Sequence, residues 1–268
     1  MPRYLRRSLI AIACGLSGLA ACTYNEQLGR NQLLIGNSSS LASAAAQSWE
    51  ELKQKQPVSR DSRYTARLNR VAPKVLRAAG EDPSQWEWLV FEDDSLNAFA
   101  LPGGRFGVFT GIMDIMENDA QLATVVGHEI AHVKFNHAQE RSSQGTFAQL
   151  GLGLGAVLAG AGCDGSAAER RACEQRSGAL VQALGMGAIY GVILPYSRKH
   201  ESESDVFGIR YMARAGYDVC ESIDFWQNMA QASAGQQRPP EFASTHPSGE
   251  TRISLLRAEA QQLGRNCG

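Results

Sequence analysis

The 268-residue sequence predicts an α+β fold, predominantly helical, with a small β-sheet and a glycine-rich helical hairpin. Three observations predict it. Apolar residues recur at helical spacing through Ser62–Ala79, where Tyr64, Leu68, Val71, Val75 and Leu76 form one stripe. Two short runs rich in aromatic and β-branched residues, Trp86–Phe91 and Phe106–Thr110, read as strands. Two nearly charge-free stretches, Gly145–Gly162 and Gly178–Pro195, flank the charged segment Asp164–Arg176, as two helices joined by a polar tip would.

In chain order, Arg3, Arg6 and Arg7 precede an apolar run from Leu9 to Ala21, the layout of a bacterial export signal over residues 1–21. The run is too short and too punctuated by Gly and Ser to read as a membrane span. It closes on Leu19-Ala20-Ala21-Cys22, which resembles a lipobox, so Cys22 is expected to carry acyl chains. A buried N-terminal helix with an incidental Cys is the competing reading. Each buried methylene contributes roughly 0.8 kcal/mol, so several chains together anchor a protein firmly. Thr23, rather than Asp, follows the cysteine, and by resemblance to bacterial sorting signals this places the chain on the periplasmic face of the outer membrane.

Removing residues 1–21 takes three of 26 basic side chains and none of 27 acidic ones, leaving 247 residues with a formal charge of −4. That balance excludes a basic nucleic-acid surface. A chain of this size buries one core, so a single main domain is expected at 61–268, with the hairpin inserted at 145–195. Before it, residues 22–60 read as a polar tether, Thr23 to Ser40, followed by a first helix over Leu41–Lys55.

Gly80 stops the Ser62–Ala79 helix. Asn97–Gly104 reads as a third strand segment ended by the Pro102-Gly103 turn. Asn118 and Gln121 form a capping box for a helix that buries Leu122, Val125, Val126 and Val133. The hairpin admits three readings: packed on the core, dipping into lipid, or covering a cleft as a lid. Four cysteines remain beyond Cys14 and Cys22, namely Cys163, Cys173, Cys220 and Cys267, and an even number in an exported chain allows three disulfide pairings. Cys163 with Cys173, closing a short loop, and Cys220 with Cys267, pinning the C-terminal tail, are the preferred pairs. No Cys-x-x-Cys spacing supports a thiolate metal site.

The chemistry concentrates in His128-Glu129-Ile130-Ala131-His132. Positions i and i+4 share a helix face, so both imidazoles can point at one zinc ion while Glu129 reaches the water held there. Two histidines leave a zinc site short of a ligand. Glu201 is the best third candidate, and Asp205, one turn further on, can hydrogen-bond the outer nitrogen of a ligating His. Glu203 falls on another face and reads as solvated. Chance alone gives this motif in roughly one chain in a hundred of this length, so its helical context matters as much as its letters.

The runs NAFALPGG at Asn97–Gly104, GHEIAH at Gly127–His132, SRKHESESD at Ser197–Asp205, RAGYD at Arg214–Asp218 and THPSGETRI at Thr245–Ile253 resemble the gluzincin metallopeptidase family of HtpX and the CAAX prenyl proteases. The likeness runs from about Ser62 to Leu263. It implies a zincin-type metalloprotease domain with one Zn(2+) ion bound by His128, His132 and Glu201, and Glu129 as catalytic base. Where the family usually has Ala, this chain has Ser204, a swap that should leave metal binding intact. The many-pass membrane helices of HtpX and the prenyl proteases are not found, which favours the lipid-anchored periplasmic branch of LoiP and YcaL. That branch implies quality-control cleavage of unfolded or misassembled envelope proteins, with an outer-membrane protein as a possible partner.

A developing oxyanion needs a cation or imidazole beside it, and His246 and Arg252 are the candidates. The resemblance brings His246 to the metal cleft, where it can occupy the open zinc position in a latent form; Arg252 can instead brace Asp205. For substrate binding, an exposed strand at Asn97, Ala98, Phe99, Ala100 and Leu101 can pair with an extended polypeptide through backbone bonds and accept varied side chains. The rival reading is a non-catalytic chaperone or adaptor lipoprotein, against which Glu129 argues, since a binding module needs no base there.

Overall fold

The computed structural model describes residues 22–146, 171, 194–234, 246 and 250–267. The export signal, most of the apolar hairpin, Cys163 and Cys173 lie outside the described residues. The architecture is α+β and mostly helical, with two small sheets. The chain divides into two compact units, Met1–Asn37 with Gln139–Ser197, and Ser38–Ala138 with Arg198–Gly268.

In the first unit, β1 (Cys22–Asn25) and β2 (Arg30–Leu33) pair antiparallel where the sequence reads as a tether. The reason is local. Asn25 Oδ1 accepts the backbone N–H groups of Gln27 and Leu28, and Gly29 takes φ +62° to close the turn. Glu140 then holds β2, accepting both arms of the Arg30 guanidinium at 2.6 and 2.9 Å and the Gln32 amide at 2.9 Å. That paired, buried carboxylate is satisfied on both oxygens.

The second unit begins with α1 (Ser38–Lys55) and α2 (Ser62–Ala78). Asp61 caps α2 through the Arg63 N–H, and Gly80 follows its end at φ +78°. The stripe at Leu68, Val71, Val75 and Leu76 is buried as its spacing requires. A three-stranded sheet follows, with β3 (Glu87–Phe91), β4 (Ala98–Leu101) and β5 (Arg105–Phe109) in the order β3-β5-β4. β5 is central, parallel to β3 and antiparallel to β4, which leaves β4 as an edge. Trp49, Phe91 and Phe109 form a core cluster with Leu52, Val58, Leu89, Phe99 and Leu101 around it. Their rings meet edge-on, Trp49 to Phe91 at 5.6 Å and Phe91 to Phe109 at 6.0 Å. Gly107 makes room for them, since a Cβ there would lie 2.6 Å from the Phe99 ring.

After the short α3 (Thr110–Asp114) comes α4 (Asp119–Lys134). Asn118 caps it by accepting from Ala120 N and Gln121 N, both at 3.0 Å. The reciprocal arm of the expected capping box lands one residue early, with Gln121 Oε1 accepting from Glu117 N. A helical stretch at 137–146 follows, and then come α5 (Leu194–Arg214), α6 (Glu221–Ser233) and α7 (Glu250–Gln262). Cys220, just before α6, is disulfide-bonded to Cys267 beyond α7, with Cα atoms 5.2 Å apart. Among the described residues, no helix is long and apolar enough to cross a membrane.

Candidate metal centre

Helix α4 is buried along nearly its whole length, so His128, Glu129 and His132 face protein on every side. Helix α5 lies against it through two glycines. A Cβ on Gly127 would meet Gly208 O at 2.8 Å, and one on Gly208 would meet His128 N at 2.9 Å. This backbone-to-backbone approach brings Glu201, two turns earlier on α5, to the histidine pair. His128 Nε2 and His132 Nε2 are 3.0 Å apart, and Glu201 oxygens lie 3.2 and 3.3 Å from them.

His246 closes the group, its Nδ1 3.0 Å from His128 Nε2 and 2.8 Å from Glu201 Oε2. Ligands on a tetrahedral ion with bonds of about 2.05 Å sit roughly 3.3 Å from one another. The four side chains therefore converge closely enough to hold one metal ion. The charge balance agrees. Glu129, Glu201 and Asp205 are three buried carboxylates, and Arg252 is the buried guanidinium among them, an imbalance that matches a dication.

Outer contacts fix the ligands. Asp205 Oδ1 is 2.9 Å from His128 Nδ1, so the proton sits on Nδ1 and Nε2 is left to face the centre. Arg252 donates to Asp205 Oδ2, to Glu201 Oε2 at 2.9 Å and to the His246 carbonyl at 2.9 Å, while stacking over the Trp226 ring at 4.0 Å. Each of its three nitrogens donates to one of these bracing contacts, which separates it from His246 as an oxyanion partner. Burial opposes a charge on His128, but hydrogen bonds to Asp205 and Glu201 outweigh it and push the imidazole up to about 9. Burial lowers His132 well below the usual histidine range. Burial would raise Glu201, yet its bonds to His128, His132 and His246 hold it far below the carboxylate range.

Glu129 stands apart from this network. Burial raises its pKa, and its Oε1 has no hydrogen-bond partner among the described residues while lying 3.5 Å from His246 Nε2. A buried carboxylate oxygen left open beside the ligand group is what a proton acceptor needs. The Ala100 backbone on β4 acts in the opposite direction, lowering the pKa of this carboxylate. The Asn97 carbonyl accepts from Phe109 N, so Asn97, Phe99 and Leu101 turn their polar groups to β5. Ala98 and Ala100 turn theirs to the open edge. The Phe99 side chain packs against the core, and Ala98 is buried.

A family model described as Peptidase family M48 matches residues 62–260. The chain belongs to peptidase family M48. Among its relatives it is 33% identical to mitochondrial metalloendopeptidase OMA1 of Schizosaccharomyces pombe over 72% of this chain and 52% of that protein. It is 32% identical to mitochondrial metalloendopeptidase OMA1 of Homo sapiens over 85% of this chain and 44% of that one. To the beta-barrel assembly-enhancing protease of Escherichia coli it is 27% identical over 80% of this chain and 42% of that one. The chain thus spans about half the length of the relatives it matches.

Within this M48 chain the sequence-derived residues His128, Glu129, His132, Glu201, Asp205, His246 and Arg252 all meet in one place. Sequence reasoning missed His137. α4 ends at Phe135, and Asn136 takes the left-handed φ of 53°, which returns the chain so that His137 Nδ1 lies 3.0 Å from His132 Nδ1. The signal was an Asn at a helix end with a His after it. Glu203 was misassigned: its side chain is only 13% exposed and sits 3.2 Å from His137 Nε2. On α5 it is one turn from His200, which stacks on His137 at 4.4 Å, so it faces protein.

Proposed function

We propose that this chain is a zinc-dependent endopeptidase. The observation that carries the reading is the convergence of His128, His132 and Glu201 on one point beside a buried carboxylate oxygen of Glu129. A zinc ion bound there supplies Lewis acidity, which polarises a peptide carbonyl and acidifies water. Glu129 accepts the proton of the attacking water and returns it to the leaving amine. The edge groups of Ala98 and Ala100 align an extended polypeptide beside Glu129 by main-chain pairing, which tolerates varied sequence. His246, beside His128 and Glu201, would help hold the metal in a latent form, and once moved aside it would donate to the oxyanion.

The substrates in this reading are unfolded or misassembled envelope proteins. The chain works from the periplasmic face of the outer membrane, held by lipid on Cys22 and alongside an outer-membrane partner. The Leu19–Cys22 run and the likeness to a bacterial protease named for β-barrel assembly support this. The purified full chain tests it through zinc content, casein hydrolysis and the Glu129→Gln variant. Bound zinc with hydrolysis lost in Glu129→Gln is expected; equal turnover by that variant overturns the mechanism.

A further inference from the structure

His137, His200 and Glu203 form a second group whose ligand atoms lie within 4.8 Å of one another, adjoining the first. His137 and His200 are fully buried, and the Glu203 side chain is 13% exposed. Two imidazoles and a carboxylate are a zinc-type donor set, yet the contact with His132 decides against an ion. His132 turns Nε2 to the metal centre, so as a neutral ligand it carries its proton on Nδ1. The atom facing that proton at 3.0 Å is His137 Nδ1, which must then present a lone pair. The proton of His137 is therefore on Nε2, 3.2 Å from Glu203 Oε2 though not in hydrogen-bond alignment with it. An ion on Nε2 would displace it to Nδ1, where two N–H donors would oppose each other.

We propose that His137 and Glu203 are positioning residues for zinc binding: the carboxylate charge of Glu203 beside Nε2 favours the Nε2–H tautomer of His137, and His137 accepts the Nδ1–H of His132. The pair does for His132 what Asp205 does for His128, and it rests on the reading of His132 as a zinc ligand. His200, stacked within 13° of coplanar, keeps the His137 ring from turning. Ser204, fully buried, places its hydroxyl 3.3 Å from the same Nδ1. Carboxylate and carbonyl partners of ligating histidines typically change metal affinity by 10- to 100-fold when removed. The Glu203–His137 relay belongs in that range.

The test uses the full chain with zinc alone, by chelator competition and metal stoichiometry, for wild type, His137→Phe, Glu203→Gln and Ser204→Ala. Expected are one ion per chain in excess zinc, zinc binding about 10- to 100-fold weaker in His137→Phe, and a smaller loss in Glu203→Gln. With cobalt in place of zinc, the exchangeable His132 Nδ1–H proton resonance should broaden or vanish in His137→Phe and shift in Glu203→Gln. Since His137→Phe can disturb a buried site, Glu203→Gln, similar in size and partly exposed, carries the test if that variant unfolds. Unchanged affinity and proton resonance in folded Glu203→Gln overturn the relay. Two ions in wild type and one in Glu203→Gln also overturn it, establishing an ion site instead. Wild type without zinc defeats the peptidase reading itself, a result separate from these.

Discussion

Gly127 and Gly208 touch backbone to backbone, and the separation between the His128/His132 pair and Glu201 follows from that contact. A Cβ on Gly208 would stand 2.9 Å from His128 N, against a helix backbone that cannot yield as a flexible side chain could. Gly208→Ala should cost about 1–3 kcal/mol of stability and weaken zinc binding together. Chemical denaturation and zinc titration of the same variant check both; unchanged values in both would show that the helices can separate freely.

Asp205 and Arg252 form a buried pair, and each has further tasks at the centre. In Asp205→Asn the His128 Nδ1–H loses a charged acceptor and Arg252 loses an anion. Zinc affinity should fall about 10- to 100-fold. Equilibrium dialysis of the variant against zinc measures it, with circular dichroism to confirm that the fold persists.

The Cys220–Cys267 bridge closes a loop with a sequence separation of 47. Chain-entropy arguments give about 4 kcal/mol for such a loop, with about 2–4 typical. Cys267→Ser should lower unfolding free energy by that amount and loosen α7, which carries Arg252. Urea denaturation with and without reductant is the measurement, and reductant should lower the stability of wild type by more than that of the variant.

Asp119, the first residue of α4, accepts from Arg70 at 2.6 and 2.9 Å, and that bond holds its pKa below the ordinary 3.8. A depressed carboxylate stabilises the fold above its unfolded pKa and loses that effect as pH falls through the folded value. Solvent screening limits the pair to about 0.2–1 kcal/mol. Asp119→Asn should therefore be less stable than wild type at neutral pH, with the two melting curves converging as pH drops below 3.8.

Phe99 sits on the edge strand but turns its ring into the aromatic cluster, 6.3 Å from Phe91 and 6.1 Å from Phe109. Phe99→Ala should destabilise by about 3–5 kcal/mol, while a conservative Phe99→Leu should leave peptide hydrolysis largely intact. A large activity loss in stable Phe99→Leu would show instead that the ring itself meets substrate.

By itself the sequence determined what is local. Spacing of 3.6 residues per turn put His128 and His132 on one face, placed the apolar stripe of Ser62–Ala78, and set Glu201 and Asp205 one turn apart. It also marked the strands through aromatic and β-branched runs. A hairpin forms within the stretch that reads as partly a tether because an Asn25 turn and a Glu140 ion pair, far apart in sequence, together stabilise it. Only tertiary structure decided the rest: the Gly127–Gly208 crossing that joins the two ligand helices, the commitment of Arg252 to bracing, and the burial of Glu203 against His137. Periodicity tells which side chains share a face of their own element. What that face meets depends on how elements pack, and packing is set by contacts between residues far apart in the chain, which no local pattern encodes.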